Sequence, residues 1–457
     1  MMRHSKIFKG LGVLAAVALL ATGCTGTLDK TDEVAGEGLG TASTAVAQAA
    51  KDFQGTFTYW IGLTFPESSN DLEAARIKAW GDNLGIKTEV IKVNQNEVVQ
   101  QASGAIEAKS LPTAMTVPYD LMSTMATGGQ LSPVPDAYTA VGESHGGWLD
   151  SIDTATKAKS FGDEIYGVPF GFFGNVLFSR ADLLKEKGFD SPPKTWDELL
   201  DQSKATQDPP TTYGMGFALS NVLDGNLTTS MMQSFGGRVA DDAGKKCTID
   251  SPGTATFLNW IKGAFDDGQF PPSAVTWDGA GDNNSYTSGQ SIFIVNTGSV
   301  YQSMKTDDPD LAAASAYSAL PAGPAAQVAP VDPRYRVVPT STSDAGKILA
   351  QDLFESLADD TYMASFMENA TYGPVLKSQL EYPVFTDSPV HAGLLEQAEK
   401  GTAPAFPDTA NAAYSDYQNA FSTPRMVQRV VVDNISIDKA MAEAQASCQT
   451  IYDQHAG

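Results

Sequence analysis

From residue 53 onward the chain switches between two hydrophobic rhythms. Residues 53–62, FQGTFTYWIG, set Phe53, Phe57 and Tyr59 on one alternating face, the period of a strand. In 70–84, Leu72, Ala75, Ile77, Ala79, Trp80 and Leu84 recur at helical spacing, and Gly85 ends the run. A strand at 87–93, a helix at 97–109, a strand at 113–117 and a helix at 121–127 closed by Gly128-Gly129 continue the alternation. Strand–helix alternation of this kind predicts an α/β body with a largely parallel sheet.

The rhythm breaks at 166–180, YGVPFGFFGNVLFSR, where no charge appears between residues 165 and 179. The run is too short for a membrane span, which needs about 20 apolar residues, and glycines and an Asn interrupt it. Residues 167–178 are therefore expected to be extended, buried in protein or touching a ligand. A second mixed region follows. Its predicted helices lie at 182–187, after Thr195 (N-cap, with Glu198 as capping-box partner), and at 227–235, 254–265 and from 300. It also has a strand at 291–295. The proline-rich 320–334 carries no helix signal. A strand at 336–339 and helices at 345–357, 360–369 and 439–452 complete the pattern. Trp80, Trp196 and Trp260 fall on helices and are expected in the core. The architecture read from this is two α/β bodies, with chain crossing between them first at 166–178 and again after 320–333.

Charge and composition narrow the partners. The 457-residue chain has a formal net charge of −24. Its first 23 residues hold Arg3, Lys6 and Lys9 and no acid, so the remainder carries 27 basic against 54 acidic residues. That balance argues against nucleic acid or an anionic membrane surface as partner. The basic start, the apolar LGVLAAVALLA and then Ala21-Thr22-Gly23-Cys24 resemble a bacterial lipoprotein signal. The expectation is cleavage of residues 1–23, lipidation of Cys24 and a flexible Gly/Ala/Thr/Ser tether over 24–51. Cys247 and Cys448, 201 positions apart, are either a disulfide or two buried thiols.

Enzyme signatures are weak. GESHG at 142–146 matches a Gly-x-Ser-x-Gly elbow, but no strand precedes it as that motif requires, and His391 is its distant candidate partner. No spacing singles out a carboxylate pair for glycoside hydrolysis. The histidines lack metal-ligand spacing, and DGAGDNNS at 278–285 puts Ala280 where a calcium loop needs oxygen. No Walker loop is present. No cofactor, metal or catalysis is expected.

Motif order is more specific. Tyr166, Pro169, Phe178, Leu183-Leu184, Lys187-Gly188 and then Pro193, Thr195, Trp196, Glu198 and Leu199 resemble the bacterial extracellular solute-binding proteins of ABC importers, carbohydrate-type branch. LPTAMTVPYDLMSTMATGGQLSPV, YTSGQSIFIVNTGSVYQ and TYGPVLKS extend the likeness over about 53–450, although Pro374 directly follows Gly373 in the last. The resemblance implies a two-lobed, type II periplasmic-binding-protein-like fold, each lobe a sheet flanked by helices. Lobe 1 would comprise 53–165 and 334–360, and lobe 2 would comprise 166–333 and 361–457. It implies a monomer on the outer face of the cell membrane that captures a sugar or oligosaccharide between its lobes and delivers it to permease subunits. A polyol, glycerol-phosphate or polyamine is the alternative ligand, and a secreted hydrolase a remote one.

A sugar site needs aromatic plates and a few polar groups in a cleft, on loops at strand ends. The candidates are Trp60, Thr64, Glu67, Tyr119, Asp120, Phe173, Asn175, Asp224, Trp277, Asp278, Asn296, Thr297, Gly298, Ser299 and Tyr372. Phe172 and Phe173 point to opposite sides of an extended segment, so Phe173 and Asn175 are expected to face the ligand with Phe172 packed behind. Trp60 has core packing as its plain alternative, and 296–299 a simple helix cap. No Lys or Arg stands among these loops.

Overall fold

The computed structural model describes residues 34–62, 67–94, 97–158 and 161–455. The expected signal peptide, Cys24 and Thr64 lie outside the described residues. Two sheets organise the rest. The first is ordered β2-β1-β3-β10-β4, with β5 also on β10. Its strands are β1 (Thr56–Gly62), β2 (Lys87–Val93), β3 (Ala114–Pro118), β4 (Leu131–Ser132), β5 (Val168–Gly174) and β10 (Val331–Pro339). The second is β7-β8-β6-β9, built from β6 (Val176–Arg180), β7 (Tyr213–Met215), β8 (Ser291–Asn296) and β9 (Ser315–Ser318).

Local sequence accounts for the strands. In β1, Phe57, Tyr59 and Ile61 are buried and alternate with half-buried residues, and Trp80 of the helix Glu67–Leu84 meets Phe57 edge-on at 5.2 Å. Gly85 ends that helix at φ +70°, a left-handed conformation that glycine adopts without strain. β1, β2 and β3 are parallel, but β10 runs antiparallel to β3, β4 and β5. The first sheet is therefore mixed rather than largely parallel, because β10 returns from the second body in the opposite sense.

The crossings fall elsewhere than expected. β5 belongs to the first sheet and β6 to the second, so the first crossing is a single junction at Asn175 rather than all of 166–178. β5 stays with the first sheet because β10 supplies its hydrogen-bonding edge. The second crossing lies between β9 and β10. The helix Asp360–Asn369, placed in lobe 2 by the sequence reading, packs instead on the helix Glu67–Leu84. Residues 371–376 also remain with the first body, through Trp148 opposite Leu376 and Phe172 opposite Gly373. The helix Pro389–Lys400 then packs on β9 of the second sheet.

The 24–51 tether is also corrected in part. Residues 44–52 form a helix capped by Ser43, whose hydroxyl accepts from the Val46 N–H at 3.2 Å. Val46 and Ala49, one turn apart, are buried against the helix Asp344–Ser356. Buried Arg76 donates to the backbone carbonyls of Ala35 (3.2 Å), Glu37 and Ser356 (2.9 Å), clasping the segment ahead of that helix. Cys247 and Cys448 form a disulfide that ties the helix Ile437–Asp453 to the second body. Among the described residues no helix is long and apolar enough to cross a membrane.

Candidate functional site

A cavity of about 380 Å³ opens between the two sheets. From the first body come Gly62 at the end of β1, Thr116, Val117 and Pro118 of β3, Asp120, Phe170 and Phe173 of β5, Asp332 and Arg334 of β10, and Thr371 and Tyr372. From the second come Leu223, Thr297 and Ser299. β1 and β3 aim their carboxyl ends at the space, where α/β sheets present ligand loops.

Five of the residues singled out from sequence meet here: Asp120, Phe173, Thr297, Ser299 and Tyr372. Phe173 is half-buried at the cavity wall, while Phe172 is fully buried behind it. The segment carrying Tyr372 is stitched to β5 by reciprocal backbone bonds between Phe172 and Gly373. Thr297 and Ser299 lead into the helix Ser299–Asp307, and their hydroxyls lie 2.8 Å apart.

The others are placed differently, each for a local reason. β1 continues two residues past Trp60, so Gly62 reaches the cavity and Trp60 packs against the core around Met115 and Val117. Glu67 is on an exposed helix start, paired with Lys92 at 3.1 Å. Tyr119 is 4% exposed and turned into the core beside Tyr335, because the helix turn that presents Asp120 points its neighbour inward. Asn175 occupies the junction of β5 and β6. Asp224 adjoins Leu223 but faces Asp282 and Gly279. Trp277 and Asp278 lie in a separate depression with Gly281 and Asn284, the indole N–H bonded to Ser273 at 3.0 Å. Asn296 is buried and structural: its amide donates to Asp282 at 2.8 Å and its oxygen accepts from the Thr297 N–H at 2.7 Å. Gly298 lies where a Cβ would come within 2.6 Å of Thr371, so its role is close approach.

Asp332 and Arg334 are the main residues the sequence reading missed. They lie in a proline-flanked stretch read as a crossing, yet VDPRYRVVP alternates, with Asp332 and Arg334 on the face opposite Val331 and Tyr335. Arg334 Nη2 pairs with Asp332 Oδ2 at 3.0 Å, and the guanidinium carbon lies 4.2 Å over the Phe173 ring. Asp332 also accepts from the Tyr119 N–H at the start of the helix Tyr119–Thr127, where a carboxylate is favoured by the helix dipole. Its carboxyl is raised above the usual range by the surrounding protein, with Arg334 opposing, though 46% of the side chain stays open to the cavity.

Asp120 is exposed at the cavity; its carboxyl is raised above the usual range by the protein around it and then by the charge of Asp332, with Arg334 and the Ser415 hydroxyl pulling the other way and solvent at its open side limiting the rise. Ser415 belongs to the helix Ala412–Asn419, which packs with the second body, so Asp120 is met by a group from that body. The assembled chemistry is a carboxylate pair, one guanidinium and several hydroxyls in a concave space. This set donates and accepts hydrogen bonds but activates no nucleophile.

The GESHG motif does not form a nucleophile elbow. Ser144 donates to the Ala140 carbonyl at 2.7 Å. His145 Nδ1 bonds the Val141 carbonyl at 2.8 Å, so that nitrogen carries the proton and cannot accept one from Ser144. His391 is buried between Ser388 and the Ala370 carbonyl, far along the chain from Ser144.

Solved structures share the architecture. The sugar-binding protein MalE from Xanthomonas citri superposes with a TM-score of 0.75 at 18% identity, covering 88% of this chain and 98% of that one. Maltose-bound MalE3 of T. maritima gives 0.71 at 18% identity over 87% and 99%. At such identity these establish the fold, a two-lobed type II binding-protein arrangement. A "probable ABC transporter-binding protein" of Deinococcus radiodurans is 31% identical over 175 residues, 36% of this chain and 41% of that protein. A galactooligosaccharide-binding protein of Bacillus subtilis is 25% identical over 244 residues, 50% of this chain and 53% of that protein. The chain thus aligns with about half or less of either relative's length. The sequence pattern of the bacterial extracellular solute-binding proteins, which bind and do not catalyse, matches residues 74–393. With well over half of its length matched, this chain belongs to the bacterial extracellular solute-binding protein family.

Proposed function

We propose that this protein captures a sugar or oligosaccharide between its lobes and delivers it to the permease of an ABC importer, as a monomer held outside the cell membrane by a lipid on Cys24. The cavity carries the reading. Asp120, Asp332 and Arg334 supply charge-assisted acceptors and a donor, and Thr297, Ser299 and Thr371 add hydroxyls from both bodies, which suits a neutral, hydroxyl-rich ligand. The galactooligosaccharide-binding relative and structural neighbours bound to maltose, maltotetraose and laminaribiose support the ligand class. The docked segment from residue 34 leaves ten links from Cys24, a reach of at most about 36 Å.

A glycerol-phosphate ligand is the second reading, because Arg334 stands in the cavity; the two carboxylates beside it weigh against a second anion. The same Arg334 weighs against a polyamine. A thermal-shift panel of sugars, polyols, glycerol-phosphate and polyamines separates these. A sugar at 100 times its Kd adds about 2.7 kcal/mol of stability. Stabilisation by glycerol-phosphate or a polyamine with no response to any sugar would reject the proposal.

A further inference from the structure

The aromatic wall of the cavity offers no free ring face at Phe173. Arg334 Cζ lies 4.2 Å from the Phe173 centroid. The Tyr372 ring lies 4.6 Å from the same centroid, within 12° of parallel. Two groups this close to one centroid cannot share a face, so Phe173 is covered on both sides. Tyr372 is backed in turn by Phe366 at 5.8 Å and 15°, and Phe170 meets Tyr372 edge-on at 5.6 Å. The stack therefore runs Phe366, Tyr372, Phe173, Arg334, and the group it presents to the cavity is a guanidinium.

That guanidinium is fixed in two directions. Phe173 holds its plane through a cation–π contact. Asp332 holds one edge at 3.0 Å, while 17% of the Arg334 side chain stays open. Its Nε–H is enclosed by protein and has no partner among the described residues, so the donors left for a ligand are Nη hydrogens not taken by Asp332. A planar fork has several in-plane donors, and one carboxylate leaves some of them free. Asp120, on the same cavity, supplies an acceptor that Arg334 does not pair. Leu223 of the second body, 76% exposed, offers apolar surface for a C–H face opposite the first body's Val117 and Pro118.

We propose that the cavity reads its ligand through the edge of the Arg334 guanidinium rather than by stacking on an aromatic ring. Two neighbouring hydroxyls of one sugar ring accept from Arg334, and one of them donates to Asp120. The ligand end that enters is thus a neutral vicinal diol. This rests on the sugar reading above and goes beyond it by naming the recognised group and the residue that selects it. Phe173 is a positioning residue, acting through Arg334.

Calorimetric titration of the full chain with maltose, laminaribiose and galactobiose tests this, using wild type, Arg334→Lys and Phe173→Leu. Arg334→Lys keeps the charge, loses the planar fork and uncovers one face of Phe173. The expected result is at least a tenfold rise in Kd for Arg334→Lys, a smaller rise for Phe173→Leu, and a shift of the Arg334 Nη–H resonances in wild type at saturation. Lysine binding as tightly as arginine, or more tightly, would overturn the inference and point to ring stacking. If Arg334→Lys does not fold, the wild-type resonances decide: unmoved Arg334 Nη–H signals overturn it. Failure of wild type to bind any of the three sugars would remove the sugar reading, and this inference with it.

Discussion

The ring of Tyr372 lies parallel to that of Phe173 at 4.6 Å, although the two residues are far apart in sequence. The contact is set by backbone: the Phe172 N–H donates to the Gly373 carbonyl at 3.1 Å, and the Gly373 N–H donates to the Phe172 carbonyl at 2.9 Å. A late loop thereby becomes an edge partner of β5 and carries its tyrosine to the ligand wall. No side chain fits at position 373, since a Cβ there would lie 2.1 Å from the buried Phe172 ring.

Gly373→Ala should therefore destabilise the fold by about 1–3 kcal/mol, the usual cost of overpacking. It should also weaken sugar binding, because Tyr372 and Phe173 separate. Urea unfolding followed by titration checks both effects. A variant as stable as wild type would show that this loop yields easily.

Asp120 should trade stability for binding. Its folded pKa of about 6 lies above the ordinary 3.8, so between those values the folded state holds more proton than the unfolded chain. Stability from this group is present below pH 4 and declines as pH rises through 6. Asp120→Asn should raise the melting temperature by no more than about 1–2 °C at pH 7, since solvent at its exposed side chain damps the effect, with the gain gone near pH 4. Sugar affinity should fall about tenfold with loss of the charged acceptor. Melting scans from pH 4 to 8 test it, and an equal shift at both ends would contradict the titration argument.

Much of the first body was legible in the sequence because its elements are amphipathic and separated by glycine. The strand at 87–93 and the helix at 360–369 appear with the bounds expected. Partnership was not legible. Nothing local in 166–178 tells that its first half pairs with β10 and its second half with β8 and β9. Asp120, Thr297 and Ser299 were readable because polar residues after buried strands need partners. Arg334 was not, since Pro333 beside it obscured the alternation that marks a strand. Trp60 was misplaced by the strand's length: two more residues of β1 carry the chain past it to Gly62.

The N-terminal segment should come loose if its clasp is removed. Arg76→Ala deletes bonds to the Ala35, Glu37 and Ser356 carbonyls, each worth about 1.5–3 kcal/mol for a charged donor. Hydrogen exchange should accelerate over residues 34–52 well before the rest of the first body. Unchanged protection there would mean that burial of Val46 and Ala49 alone holds the helix Thr44–Asp52.

The disulfide should matter to the second body alone. It closes a separation of 201 residues, and such a link contributes about 2–4 kcal/mol. Cys247→Ala with Cys448→Ala should lower the stability of the second body and increase proteolysis around the helix Ile437–Asp453. Sugar affinity should change little, because neither cysteine lines the cavity. A large loss of affinity would tie the two together.

The most direct test of the account is a crystal structure with the sugar that responds most strongly in the thermal panel. The account predicts that the sugar lies between the two sheets, with hydroxyls bonded to Asp120 and Arg334 from the first body and to Thr297 or Ser299 from the second. A sugar bound outside this cavity, or touching only one body, would contradict it.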